Sequence, residues 1–176
     1  MKRLHIGAGK NYLPGWINLD LFSSVRADIY ADMTALPFDK ESFNLVYASH
    51  VLEHTHRHTV LATLAHWRDM LIPGGILRLA VPDFGAVVKY YNETRDLDSL
   101  IGLLYGGQTH PKNNHFITFD AGTLTRDLMK VGFKEVRRWD WRKTDHADFD
   151  DYSQAYLPAF KKHSGLLVSL NLEAIK

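Results

Sequence analysis

Short apolar segments recur along this chain, and helical patterns separate several of them. This alternation constrains the fold, because it is typical of an α/β domain with a mostly parallel sheet. A chain of 176 residues is long enough to form one such domain around a buried core. We therefore predict a single domain over residues 1–176. Its strands are predicted at residues 3–6, 16–19, 28–31, 43–48, 76–81, 133–139 and within 166–176.

The sequence also predicts two helices of the domain and the exposure of its last strand. Apolar residues recur at helical spacing between residues 60 and 71, and Pro73-Gly74-Gly75 is expected to end that helix. A second helix is predicted at residues 123–131, directly before Gly132. The last strand alternates apolar and polar residues in VSLNLE, which predicts a half-exposed strand at or near a sheet edge.

Residues 84–115 form an insertion that the predicted sheet does not need. Their first part has apolar residues at the spacing of two short helices, and their second part, GGQTHPKNNH, is rich in turn-forming residues. The insertion follows the carboxyl end of a strand, where an α/β fold places its ligand-facing loops. We therefore predict a lid over the substrate pocket, and the alternative is a surface excursion without a role in binding.

Charge and cysteine content exclude several classes of protein. The 21 basic and 20 acidic residues leave a formal charge of +1, which argues against a dedicated nucleic-acid-binding protein. Because the chain has no cysteine, a disulfide framework and a thiolate zinc site are excluded. The basic start, MKRLHIGAGK, lacks the apolar run of a signal peptide, and no stretch is long enough to span a bilayer. We expect a soluble, cytoplasmic protein.

Glycines and acids at the ends of the first three predicted strands form a candidate nucleotide site. Gly7 and Gly9 let the backbone approach a ligand closely, although the third glycine of the dinucleotide-binding pattern is missing. Asp20 ends the second strand and can accept hydrogen bonds from both hydroxyls of a ribose, or alternatively only cap the following turn. After the third strand, Asp32 can hold an adenine amino group, with Met33 as an apolar contact.

Several motifs together resemble the class I S-adenosylmethionine-dependent methyltransferases. The motifs are LHIGAG, WINLD, ADMTALPFDKESFNLVYASHVLEH, LIPGGILRLAVPD and SLNLEA, and they follow the family's order over nearly the whole chain. Within that family, the chain is most similar to the small methyltransferases often found beside polysaccharide-biosynthesis genes. The resemblance implies a Rossmann-like sheet of order 3-2-1-4-5-7-6 with strand 7 antiparallel, and S-adenosylmethionine as the cofactor.

The resemblance also implies which residues bind each part of the cofactor. The methionine part of the cofactor is assigned to Gly7 and Gly9. The ribose is assigned to Asp20, and the adenine to Asp32 and Met33. Ser49-His50 is assigned to the wall near the sulfonium. The implied cofactor-binding residues all follow strand ends or close a strand: Gly7, Gly9, Asp20, Asp32, Met33 and Ser49.

The chain departs from the family pattern near its start. Most members have an acidic residue two positions before the first glycine, where this chain has His5. Only nine residues, 7–15, separate the first two predicted strands, and a parallel crossover usually takes a dozen or more. We therefore predict a shortened first helix of about one turn.

The segment YASHVLEHTHRH places four histidines and a glutamate directly after the fourth predicted strand. Its HVLEH part fits a zinc-protease motif, but that motif requires a long helix, and here a strand precedes it. We interpret His50 as the residue that takes the acceptor's proton or orients the acceptor, with an unperturbed pKa near 6.5. Glu53 or His54 would fix its orientation, and His115 is a further candidate catalytic residue from the insertion.

A divalent metal is an alternative that the residues do not favour. Methyltransferases of the ubiquinone pathway, and plant enzymes that methylate small-RNA ends, carry E-x-x-E-H at this place and bind a divalent ion. This chain has His50 in place of the first glutamate and keeps Glu53 and His54. His115 or His110 would supply another ligand, and the added imidazole shifts the preference from magnesium towards zinc.

The sequence thus predicts transfer of a methyl group from S-adenosylmethionine to a hydroxyl or other heteroatom of a small molecule or glycan precursor. Two alternatives stay open: a non-catalytic binding subunit with the methyltransferase fold, and a metal-dependent hydrolase that uses the histidine cluster. Cofactor binding without turnover would indicate the first, and activity that needs a metal but no cofactor would indicate the second.

Overall fold

A seven-stranded sheet organises the part of the chain that the computed structural model describes, residues 1–159 and 161–176. Its strands are β1 (Arg3–Ile6), β2 (Ile17–Asp20), β3 (Ile29–Tyr30), β4 (Phe43–Ser49), β5 (Leu71–Pro82), β6 (Glu135–Arg138) and β9 (Ser169–Ile175). Their order in the sheet is β3-β2-β1-β4-β5-β9-β6. The first five strands pair in parallel, and β9 runs antiparallel to both of its neighbours. The predicted Rossmann-like sheet is confirmed, with β9 as the family's strand 7.

Four helices and a small ladder complete the described fold. The helices are α1 (Val60–Asp69), α2 (Phe84–Thr94), α3 (Asp98–Tyr105) and α4 (Ala121–Lys130), and β7 (Tyr156–Leu157) pairs with β8 (Leu166–Leu167). Buried side chains of α1 and α4 pack with those of the central strands in the main core cluster. Trp67 of α1 is fully buried there, and its Nε1 donates a hydrogen bond to the Met33 carbonyl at 2.8 Å. This contact fixes α1 against the chain that follows β3.

The crossover from β1 to β2 contains turns in place of the usual first helix. Residues 7–16, all of which the structure describes, have no helical segment, so the reduction is more complete than the single turn that we predicted. The fully buried amide of Asn18 holds this crossover: its Oδ1 accepts from Leu13 N at 2.8 Å. Its Nδ2 donates to the carbonyls of Leu13 and Trp16 at 3.0 and 3.1 Å. One side chain thereby satisfies backbone groups that a helix would otherwise pair.

The predicted half-exposure of the last strand is wrong, although its place near an edge is confirmed. The polar residues of β9, Ser169, Asn171 and Glu173, are only 1%, 3% and 6% exposed. A segment before β9 covers them, since Asn171 Nδ2 donates to the Ser153 carbonyl at 2.9 Å. Glu173 pairs with Arg78 of β5 at 2.8 Å. The alternating polar residues of β9 therefore face polar partners inside the fold and not solvent.

The PGG segment continues a strand and does not lie between a helix and a strand. The helix α1 ends at Asp69, and β5 begins at Leu71, five residues before the predicted start. Phe43 of β4 pairs with Leu71 and Leu45 pairs with Ile76, so β5 bulges between these two pairs. Gly74 has a φ of 75° within the bulge, a conformation that glycine adopts without strain. Other boundaries shift by one or two residues.

The insertion folds into the two short helices that its apolar spacing predicts. Asp83 caps α2 by accepting a hydrogen bond from Gly85 N at 3.0 Å, and α3 follows after three residues. The two helices share a small core cluster of Val87, Tyr90 and Leu100. None of the helices in the described part of the chain combines the length and the hydropathy that a membrane crossing needs.

We predict that Asn18→Ala lowers the free energy of unfolding by about 1–3 kcal/mol, because it leaves buried backbone groups of Leu13 and Trp16 without partners. Urea denaturation followed by circular dichroism measures this change. Asn44→Ala is the matched control, since the Asn44 side chain accepts a hydrogen bond from Lys2 N near the exposed amino terminus. Equal losses in the two variants would contradict the role given to Asn18.

Candidate active site

The carboxyl ends of β1, β2 and β4 open into a cavity of about 690 Å³, a volume typical of small-molecule and cofactor sites. The predicted residues that line it come from four parts of the chain and are Gly7, Gly9, Asp20, Asp32, Met33, His50 and His54. The loop after α3 closes one side of the same cavity with residues 110–113. Parallel strands bring these segments together, because their carboxyl ends meet at one edge of the sheet.

The glycine turn after β1 has the backbone conformation that requires glycine. Gly7 and Gly9 have φ values of 69° and 54°, in the left-handed region. A Cβ atom on Gly7 would overlap the Val51 side chain, which also lines the cavity. Gly9 N donates a hydrogen bond to Asp20 Oδ2 at 2.8 Å, so the turn is tied to the end of β2.

The Asp20 carboxylate connects the first two strand ends and also faces the cavity. Its Oδ1 accepts a hydrogen bond from Phe22 N at 2.9 Å, so the alternative in which Asp20 caps the next turn describes part of its role. Its side of the cavity contains Leu21 and Phe22, which the sequence did not single out. Each carboxylate oxygen offers about two acceptor sites, so the bonds to Gly9 and Phe22 leave acceptor capacity for a ligand.

Asp32 and Met33 lie together in the cavity wall after β3. Asp32 Oδ1 accepts hydrogen bonds from Thr34 N at 2.9 Å and Thr34 Oγ1 at 2.6 Å. The Thr34 hydrogen bonds, followed by that of Lys112, lower the pKa of Asp32. Lys112 Nζ reaches Asp32 Oδ2 at 3.2 Å across the cavity, from the loop after α3. This acid therefore faces the cavity as an anion.

His50 directly follows β4 and is held in a strained, fixed position. Its φ of 52° lies in the left-handed region, which is costly for a residue with a side chain, by about 1–3 kcal/mol. Its backbone N donates to the Ala80 carbonyl at 2.8 Å. Its Nε2 lies 3.2 Å from Ser169 Oγ, and its Nδ1 lies 3.4 Å from Glu53 Oε1. Burial, with smaller effects of the neighbouring histidines, lowers the pKa of His50 to about 3, so our expectation of an unperturbed value is wrong.

Glu53 is fully buried beneath the cavity, in the 3₁₀ turn Leu52–His54. Neither of its carboxylate oxygens has a hydrogen-bond partner among residues 1–159 and 161–176. Burial raises the pKa of Glu53 to about 8. Nearly all buried polar side chains in proteins have partners, so this carboxylate marks a site that requires an explanation.

His54 directly follows Glu53, and His115 approaches Glu53 from a distant part of the chain. His115 lies beyond α3, and its Nε2 is 3.9 Å from Glu53 Oε1. The rings of His54 and His115 meet edge to face, with their centres 4.8 Å apart. Burial lowers the pKa of both histidines. The structure thus brings together all four residues that we predicted as catalytic.

One predicted site residue lies outside the cavity wall, and one residue of the wall was not predicted. Ser49 is not among the residues that line the cavity in the described chain, and its hydroxyl is buried there without a hydrogen-bond partner. His56, which the sequence did not assign to the site, lines the cavity, and its ring lies 4.1 Å from that of Phe116. The cavity position of His56 depends on the turn before α1, and no spacing in the sequence indicates it.

Comparison with known proteins agrees with this geometry. Residues 6–79 match the sequence model of a family described as a methyltransferase domain. No curated protein sequence matches the chain.

Solved structures of methyltransferases share the fold at low identity. An S-adenosylmethionine-dependent methyltransferase from Thermotoga maritima is 16% identical, with a TM-score of 0.60 over 99% of this chain and 82% of that chain. Another, from Mesorhizobium loti, is 16% identical, with a TM-score of 0.59 over 99% and 90%. The 1,6-didemethyltoxoflavin-N1-methyltransferase of Burkholderia thailandensis, solved with S-adenosylhomocysteine, is 15% identical, with a TM-score of 0.60 over 99% and 70%. Residues 6–79 thus match a methyltransferase domain, and the solved methyltransferases share the fold of this chain.

Proposed function

We propose that this protein transfers the methyl group of S-adenosylmethionine to a hydroxyl or other heteroatom of a small molecule or glycan precursor. The observation that carries the proposal is the cavity at the sheet edge, where a glycine turn, two acids and His50 follow four strand ends. The 1,6-didemethyltoxoflavin-N1-methyltransferase of the same fold binds a small-molecule acceptor together with S-adenosylhomocysteine, which supports an acceptor of that size. The glycan part of the proposal rests on the sequence resemblance alone.

We propose that the cavity residues bind the groups of the cofactor that the sequence resemblance assigns to them. We assign the methionine part to the backbone of Gly7 and Gly9, the ribose hydroxyls to Asp20, and the adenine to Asp32 and Met33. Charge-assisted hydrogen bonds to a carboxylate contribute about 1.5–3 kcal/mol each, so Asp20 would be the strongest single contact. The sulfonium then lies towards His50.

The transfer step needs positioning more than proton chemistry. The acceptor heteroatom forms a bond to the methyl carbon as the bond from that carbon to sulfur breaks, and S-adenosylhomocysteine leaves. A hydroxyl acceptor then releases its proton to water. Alignment of two reactants in one cavity is worth up to about 7–11 kcal/mol of the barrier. An imidazole with a pKa of about 3 is a weak base at neutral pH, so proton removal by His50 is disfavoured, and its ring would orient the acceptor by contact.

We also propose that the insertion is a lid over the cofactor as well as over the acceptor. The loop after α3 reaches across the cavity, where Lys112 pairs with Asp32 at 3.2 Å and the His110 ring lies 4.8 Å from that of Phe22. The loop therefore contacts the segments after β2 and β3, which we assign to the ribose and the adenine. The far end of the loop is tied to α3, because His115 N donates a hydrogen bond to the Tyr105 carbonyl at 3.1 Å.

We expect wild-type protein to bind S-adenosylhomocysteine and Asp20→Ala to bind it about 10–100-fold more weakly, because ribose hydroxyls lose a charged acceptor. Isothermal titration calorimetry gives both affinities, and Asp148→Ala, at an exposed acid, is the matched control. Absence of binding by the wild-type protein would contradict the proposal. Binding without transfer of labelled methyl groups to any of a panel of sugars, nucleotide sugars and small alcohols would instead indicate a non-catalytic binding subunit.

The glycine turn gives a second prediction with a matched control. Gly7→Ala should lower the free energy of unfolding by about 2–5 kcal/mol, as the sum of left-handed backbone strain and overlap with Val51. Gly74→Ala has the same backbone strain without a close neighbour for its Cβ, so its loss should be about 1–2 kcal/mol. Thermal unfolding compares the two variants, and an equal loss in both would contradict the close packing at the glycine turn.

Hydrogen exchange tests the proposed lid. Amides of residues 106–113 should exchange more slowly once S-adenosylhomocysteine is bound, because the loop would close over the adenosine. The amides of α1 serve as an internal reference, because α1 packs in the core and its exchange rate should not depend on the ligand. If the loop exchanges at the same rate with and without saturating S-adenosylhomocysteine, it is a surface excursion and not a lid.

A further inference from the structure

The three imidazoles around Glu53 each have one ring nitrogen bound to an oxygen outside the cluster. His54 Nδ1 lies 3.0 Å from the Asn114 carbonyl, and His115 Nδ1 lies 3.0 Å from the Leu103 carbonyl. A carbonyl oxygen only accepts hydrogen bonds, so Nδ1 carries the proton in both rings. The Nε2 atom of each neutral ring is then an acceptor with a free lone pair.

The tautomer of His50 follows from a chain of hydrogen bonds. Asn171 Nδ2 donates to the Ser153 carbonyl, so Asn171 Oδ1 is the atom that accepts from the Ser169 hydroxyl at 2.9 Å. Because that hydroxyl has one hydrogen, Ser169 Oγ accepts from His50 Nε2 at 3.2 Å. His50 Nδ1 therefore presents its lone pair towards Glu53.

The cluster consequently contains more acceptors than donors among its own four side chains, since even a protonated Glu53 brings only one hydrogen. Glu53 brings two carboxylate oxygens that are buried and have no hydrogen-bond partner in the described part of the chain. One ligand atom each from Glu53, His54 and His115 lies within 4.8 Å of the other two. Converging lone pairs on buried groups are costly unless a cation neutralises them.

We propose that Glu53, His54 and His115 bind a divalent cation of the zinc class. Two imidazoles and a carboxylate are a ligand set that zinc takes in proteins, and imidazole disfavours magnesium and calcium. The hydrogen bonds from Nδ1 of His54 and His115 to carbonyls are the outer contacts that typically orient metal-binding histidines. His54 is the member of the set that lines the cavity, so the cation lies in the cavity wall.

These hydrogen-bond directions favour a metal site more strongly than the sequence alone does. The HVLEH segment alone left a divalent metal as an alternative that was not favoured, with a histidine where related motifs have a glutamate. In the fold, that histidine is a neighbour of the ligand set and His115 supplies the missing ligand from the insertion. The inference uses residues of the proposed active site, but cation binding is measured without an acceptor or methyl transfer.

The test is zinc binding by untagged protein that has been stripped with a chelator and dialysed. We expect one zinc ion per chain by elemental analysis and calorimetry, and a loss of affinity of at least tenfold in Glu53→Gln and in His115→Ala. His58→Ala is the matched control, because His58 is an exposed histidine of the same segment, and it should bind like the wild type. No stoichiometric zinc in the wild type, or wild-type affinity in both cluster variants, would overturn the proposal.

Thermal unfolding without zinc separates a ligand role from a structural role for Glu53. Glu53→Gln keeps the size of a buried side chain whose oxygens have no hydrogen-bond partner in the described chain, so the zinc-free variant should unfold at about the same temperature as the zinc-free wild type. Zinc should then raise the unfolding temperature of the wild type and leave that of Glu53→Gln unchanged. A variant that is less stable without zinc and gains as much from zinc as the wild type would contradict the assignment. Neither result depends on S-adenosylhomocysteine binding, so the methyl-transfer proposal stands or fails separately.

Discussion

The hydrogen bonds of the Asn18 amide hold together the crossover on which the rest of the cavity depends. They satisfy the backbone of Leu13 and Trp16 in a connection that is too short for a helix. With this crossover in place, β1 and β2 pair in register, with Ile6 beside Leu19. Gly9 and Asp20 then lie at adjacent strand ends, where they form a hydrogen bond of 2.8 Å. A single buried polar side chain thus compensates for the missing helix and brings the first two parts of the proposed cofactor site together.

The half of the site proposed for the cofactor could be predicted from the sequence because it is local to strand ends. Gly7, Gly9, Asp20 and Asp32 each follow or close a short apolar segment, and parallel pairing then places them at one edge. The same reasoning failed where long-range partners decide the outcome. The alternation of β9 predicted exposure, but Asn171 and Glu173 bind Ser153 and Arg78, which are more than ten residues away in sequence.

The histidine cluster shows a similar division between local and long-range information. The spacing of His50, Glu53 and His54 is visible in HVLEH, and the strand before it places His50 at the sheet edge. The hydrogen bonds that set the ring tautomers come from Asn114, Leu103 and Ser169, and no sequence pattern relates these residues to the motif. Burial also changes the pKa of His50 and of Glu53 in opposite directions, because it disfavours the charged form of each. The chemistry of the cluster therefore depends on the fold more than on the motif.

The insertion connects the two halves of the site. Its loop carries Lys112, which pairs with Asp32, and His115, which lies against Glu53. A change in this loop would thus affect both the proposed adenine site and the histidine cluster, although neither is adjacent to it in sequence.

A crystal structure of the protein grown with saturating S-adenosylhomocysteine tests the central claim most directly. We expect the ligand in the cavity at the carboxyl ends of β1, β2 and β4, with both ribose hydroxyls within hydrogen-bond distance of Asp20. The adenine should lie against Met33, and the sulfur should point towards His50. Ligand density at another surface, or a ribose that is out of reach of Asp20, would contradict the assignment of this cavity as the methyl-donor site.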